Sequence, residues 1–150
     1  MSKLQAVLNQ QIAPGVYRFP SDASLVTLQA EAQERGWQLF YLDGTTIRDK
    51  ASFLAASKAA LRMPAYVGSN WDAFEEAVND LAWAPAGGYV LVYDDAAILD
   101  DHDAPAFRTA VDILATAADN WGAEGKPFYV LVRGAGKTEA AILPWPAVPT

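Results

Sequence analysis

The chain of 150 residues contains no cysteine, which excludes disulfides, thiolate metal sites and thiol nucleophiles and is compatible with a reducing cytosol. It has one histidine, His102, so a Ser-His-Asp arrangement would have to be built on that residue, and no G-x-S-x-G sequence accompanies it. No apolar run approaches the roughly 20 residues needed to cross a bilayer. The opening stretch MSKLQAVLNQQIAPG lacks the uninterrupted apolar core and small-residue cleavage site of a secretory signal. A cytoplasmic location is therefore expected. Basic residues are also few: 11 Lys and Arg stand against 18 Asp and Glu, a net charge of −7. Nucleic acid and anionic membrane are poor partners for such a surface, because both are bound by neutralising phosphates with Lys and Arg. A basic protein or a cation fits the balance better.

What is abundant is apolar residue, 52% of the chain, enough for one globular core. Three short, nearly continuous apolar runs read as buried strands: Trp37 to Leu42, Tyr89 to Tyr93, and Phe128 to Val132. Helical patterns separate them. One runs from Ser21 or Ser24 to Arg35 with Gly36 at the C′ position. Another is capped by Asp49 and carries Phe53, Leu54, Ala60 and Leu61 on one stripe until Pro64 stops it. A long one begins near Ala104 and closes at Gly122 or Gly125. Strands alternating with helices predict an α/β domain with a small three-stranded parallel sheet covered by helices. Residues 1–36 are expected to form an N-terminal extension, helical and packed on the domain, and residues 37–150 the domain itself with an extended C-terminal arm, LPWPAVP.

The stretch Met63 to Trp83 has the most chemistry in it. Pro64 and Gly68 bound a loop that displays Tyr66, and a helix over residues 70–81 is predicted next, started by Ser69 with Asp72 in the S-x-x-D form of a capping box. At 100° per residue, Trp71, Phe74, Ala77, Val78 and Leu81 share one arc, while Asp72, Glu75, Glu76, Asn79 and Asp80 share the other. Like charges four residues apart oppose helix formation, so the acidic arc reads either as a solvated face or as a surface that meets something basic.

Other signals are weaker. Gly134-Ala135-Gly136-Lys137-Thr138 resembles the end of a phosphate-binding loop, but position 131, where the motif needs glycine, is Leu131. His102 lies among Asp100, Asp101 and Asp103, contiguous residues that do not converge on one metal ion; the run reads as a loop entering a helix. Asp43, Asp94 and Asp95 follow strands, where open parallel sheets bind ligands. They define an alternative function, a Mg²⁺-dependent phosphoryl-handling enzyme. A third reading is a binding module that uses the acidic helix for some other basic protein.

The residues Leu42-Asp43-Gly44, Ile47, Phe53, Leu61, Pro64, Tyr66, Gly68 and Asn70-Trp71-Asp72-Ala73 together resemble the barstar family of ribonuclease inhibitors, most densely over Pro64 to Ala73. The resemblance spans about Trp37 to Arg133. It implies a protein with no catalytic residue, no metal and no cofactor, which occludes the active site of a cognate basic ribonuclease in a 1:1 complex by mimicking RNA, as an antitoxin or immunity protein does. Position by position it implies partner contacts at Tyr66, Gly68, Asp72 and Glu76, where Glu76 replaces an aspartate and Glu75 a tryptophan. Asn70, Glu75, Asn79 and Asp80 complete the expected partner-binding set.

Overall fold

A computed structural model describes residues 2–138 and 140–146. Its elements, in chain order, are α1 (Lys3–Leu8), β1 (Gly15–Arg18), α2 (Leu25–Glu34), β2 (Gln38–Asp43), α3 (Lys50–Ala60), α4 (Trp71–Val78), β3 (Tyr89–Asp94), α5 (Ala97–His102), α6 (Ala104–Ala123) and β4 (Phe128–Val132). The three apolar runs are β2, β3 and β4, and all pair in parallel, with β3 between the other two.

The sheet has four strands, not three, in the order β1-β4-β3-β2. The added strand comes from within residues 1–36, expected to be helical: Gly15 to Arg18 pair in parallel with Tyr129 to Val132. A four-residue strand directly behind Pro14 is too short to show an alternation, and its pairing partner lies more than 100 residues away, so local sequence did not reveal it. The expected loop over Asp100 to Asp103 also differs. Residues 97–102 form α5, and Asp103 caps α6 by accepting from the Ala106 amide at 3.2 Å.

Alternation along the strands divides the core into two layers. Tyr89, Leu91 and Tyr93 of β3, with Phe128, Val130 and Val132 of β4, face the cluster formed with α3, α4 and α6. Val90, Val92, Tyr129 and Leu131 face the opposite way, against Leu4, Val7, Leu8, Ile12, Tyr17, Phe19, Leu28 and Ala32. Residues 2–36 thus pack against one face of the sheet and supply its edge strand β1. The C-terminal arm runs over the same region, where Trp145 meets the rings of Phe19 and Tyr17 at 5.2 and 6.2 Å; the Ala147 to Pro149 portion of the expected arm lies outside the described residues.

Several helix ends follow local rules. Asp49 and Ser52 form a reciprocal capping box at α3. Ser24 caps α2, and Gly36 follows that helix at φ +70°, the left-handed C′ conformation that glycine adopts without steric cost.

Candidate functional site

The acidic surface is fixed by what α4 buries. Phe74, Ala77 and Val78 are inside, Phe74 stands edge-on to Phe53 at 5.3 Å, and Trp71 packs half-buried against both rings. With that stripe committed to the core, the helical period leaves Asp72, Glu75 and Glu76 outside. The helix is shorter than predicted: Asn79 is its C-cap and Leu81 turns into the left-handed region at φ +49°. Its start is also corrected. Asn70, not Ser69, is the N-cap, and its Oδ1 accepts the Ala73 amide at 2.8 Å. Asp72 is therefore a first-turn acid favoured by the helix dipole, without the capping-box role expected from Ser69.

The loop and helix meet at a cleft of about 170 Å³ whose lining includes Tyr66, Gly68, Ala73, Glu76, Asp80 and Trp83. Tyr66 is 78% exposed, the most exposed large apolar side chain of the chain's described residues. Trp83 forms a fixed wall, because its indole Nε1 donates to the Leu61 carbonyl at 2.9 Å. Asp72 and Glu75 are exposed but not part of the lining. Among the described residues, the carboxylates of Asp72, Glu75, Glu76 and Asp80 make no side-chain hydrogen bond or ion pair. The dense negative charge of the face is thus not neutralised internally.

Two expected contacts are engaged within the fold. The Asn70 side-chain oxygen is occupied by the cap just described. Asn79 donates through Nδ2 to the Glu75 carbonyl at 2.8 Å and accepts from Asn120 Nδ2 at 2.9 Å, while Trp121 Nε1 donates to the Val78 carbonyl at 2.9 Å. These bonds tie the end of α4 to α6. A residue that sequence reasoning passed over, Lys58 of α3, reaches the Tyr66 loop: its Nζ donates to the Val67 carbonyl at 2.7 Å and to the Ala65 carbonyl at 3.3 Å. Its signal in the sequence is only a cation in the last turn of the preceding helix.

The other acids have different duties. Asp94 receives Arg133 Nε at 2.5 Å, Arg133 Nη2 at 2.8 Å and the Tyr41 hydroxyl at 2.7 Å. Arg133 also donates to the carbonyls of Ser21 and Ala23, at 3.3 and 2.7 Å, which fastens residues 21–23 to the end of β4. Asp43 is taken up by Thr45, whose hydroxyl and amide donate to it at 2.7 and 3.0 Å and hold its carboxyl below the usual range. The Mg²⁺ reading therefore finds two of its three carboxylates turned to structural partners. No group of three His, Cys, Asp or Glu residues is placed to hold a metal ion among the described residues. His102 donates from Nδ1 to the Ile98 carbonyl at 2.9 Å, the tautomer that leaves Nε2 as acceptor for Arg48 at 3.3 Å. Gly134 is a bend, the carbonyls of Ala135 and Gly136 receive Arg18 at 3.1 and 3.0 Å, and no helix follows them among the described residues.

A family model described as Barstar (barnase inhibitor) matches residues 37–133, about two thirds of the chain. The chain belongs to the barstar family. The matched span contains the whole cleft, from Tyr66 to Trp83, and excludes residues 2–36. No curated protein matches the chain. Among solved structures, the Aeropyrum pernix ORC2 protein, determined as ADPNP-ADP complexes, is similar over 87% of this chain and 39% of its own, with a TM-score of 0.56 and 11% identity. The chain thus spans well under half of that structure, and a likeness at this identity shows a shared arrangement of helices and strands alone. No helix among the described residues is long and apolar enough to cross a membrane.

Proposed function

We propose that this barstar-family chain is a cytosolic inhibitor that occludes the active site of a basic ribonuclease, serving as its immunity partner. One observation carries the reading: Glu76 and Asp80, carboxylates with no cation of their own among the described residues, line the same cleft as the outstanding Tyr66. A ribonuclease binds polyphosphate with Arg, Lys and protonated His, so its active site is a positive concavity. Glu76, in the last turn of α4, and Asp80, just past its C-cap, present successive negative charges as a nucleic acid backbone does, with no bond to cleave. Tyr66 and Trp83 add flat surfaces on which a guanidinium or imidazolium can lie. Asp72, one turn before Glu76, and Glu75 extend the field that guides a cationic partner in.

The experiment is capture from lysate of the native cell on the immobilised chain, elution with salt, and assay of the eluate for RNA cleavage with and without added chain. The double variant Asp72→Ala/Glu76→Ala should stay folded, inhibit less, and associate more slowly with a shallower salt dependence. Full inhibition by the double variant would overturn the proposed site. Recovery of a basic protein without nuclease activity would instead favour a binding module of another kind.

A further inference from the structure

We propose that Lys58 is a positioning residue for the partner-binding loop, a cation beside an acidic recognition surface that holds Tyr66 in place. The inference rests on the inhibitor reading for its binding consequence, and on geometry alone for the positioning itself. Tyr66 is 78% exposed, so the packing of its own ring does little to fix its direction. What fixes it is the backbone on either side. The Lys58 ammonium sits between the carbonyls of Ala65 and Val67, the residues that flank Tyr66, at 3.3 and 2.7 Å. Those two carbonyls have no other hydrogen-bond partner among the described residues. Beyond these, the loop has one turn bond of its own, from the Val67 amide to the Pro64 carbonyl at 3.1 Å, and the packing of the Val67 side chain against the core.

A lysine in the last turn of a helix ordinarily serves that helix, by complementing its dipole or binding its final carbonyls. Lys58 departs from this. Its hydrogen bonds pass over the end of α3 and close on the next loop. Two charge-assisted bonds to one short segment restrict it before any partner arrives, so the ordering cost is not charged to the association step.

The proposal makes a prediction opposite in sign to simple electrostatics. Removing a positive charge beside an acidic face strengthens the attraction for a basic partner. Removing a loop support weakens binding, because the competent loop becomes only one of several populated states and the apparent Kd rises by the inverse of its fraction. Lys58→Met keeps the chain length and loses the donors; Lys58→Arg keeps charge and donors. Lys50→Met is the charge-matched control, since Lys50 lies over the Trp71 ring at 5.8 Å and makes no bond to the loop.

In the full-length chain, amide exchange should be about tenfold faster at Val67 in Lys58→Met, as expected for a local opening event. Exchange at the core strand residue Leu91 should be unchanged, and Lys58→Arg should restore most of the protection at Val67. With barnase as the probe, Lys58→Met should raise Kd about tenfold, tracking the loss of the competent loop state, while Lys50→Met should bind equally well or faster. Unchanged Val67 exchange in Lys58→Met overturns the proposal, and so does a Kd equal to or below that of the wild type. Failure of the wild-type chain to bind barnase counts against the ribonuclease reading only, and the exchange measurements then decide the role of Lys58 by themselves.

Discussion

Deleting residues 1–36 removes everything outside the family-matched segment on its N-terminal side, and the structure indicates what the remainder would lose. Trp37, Leu39, Val90, Val92, Tyr129 and Leu131 are all buried beneath α1, α2 and β1 and would become wet. Transferring large apolar side chains from the interior to water costs roughly 1.5–3 kcal/mol each. Even the lower figure, applied to these six, gives a loss on the order of 10 kcal/mol, the scale of the entire stability of an ordinary domain. The Tyr129 hydroxyl would also lose the Ile12 carbonyl it donates to at 2.5 Å, and β4 would lose its neighbour β1. The loss falls on residues that the fragment retains, so the entropy saved by omitting 36 residues does not compensate it. Residues 37–150 alone should therefore show no cooperative urea transition, bind a hydrophobic dye, and lack near-ultraviolet circular dichroism while keeping helical signal. Cooperative unfolding of that fragment at a urea midpoint near that of the full chain would refute the reasoning.

Three further perturbations test other parts of the fold. Asp94→Ala leaves Arg133 and the Tyr41 hydroxyl without their shared acceptor; the pair is 17% exposed on each side, between the exposed and fully buried cases, so about 2–3 kcal/mol of stability should be lost in urea titrations. Gly44→Ala would place a methyl 2.1 Å from the Asp94 carbonyl oxygen, closer than atoms pack, and should cost at least about 2 kcal/mol with a matching drop in the denaturant midpoint. Burial, and then the hydrogen bond to Asp94, push the Tyr41 hydroxyl from its ordinary value near 10 up to about 12. Between those values the folded chain keeps a proton that the unfolded chain has released, so stability is fully present below pH 10 and falls as pH rises toward 12. Urea midpoints measured across that window should decline less steeply in Tyr41→Phe.

The sequence revealed the elements whose signals are local and missed those whose partners are distant. Runs such as YVLVY and FYVLV, short and rich in β-branched and aromatic residues, read as interior strands, and Asp49 ahead of an apolar stripe marks a helix start. Asn70 displaced Ser69 as a cap because the two are adjacent and both are good caps, and only the path of the loop decides between them. The acidic face of α4 was legible from periodicity, yet periodicity gives every polar residue the same standing. The tertiary structure separates them: Asn79 is drawn toward Asn120, whereas Glu76 and Asp80 are left in the cleft. The strand β1 and the reach of Lys58 depend on contacts between segments, one across more than 100 residues and the other around a helix end, and neither leaves a mark in composition.

Residues 142–143 have an effect that concerns the sheet as a whole. The Leu143 amide donates to the Val16 carbonyl and its carbonyl accepts the Arg18 amide, at 2.9 and 2.8 Å, with Trp145 lying over Phe19 beyond them. These two bonds occupy the outward-facing groups of β1 that would otherwise be free to pair with a strand from a neighbouring molecule. The arm acts as a stopper on that side of the sheet, and it discourages the stacking of chains edge to edge that a bare four-residue strand would invite.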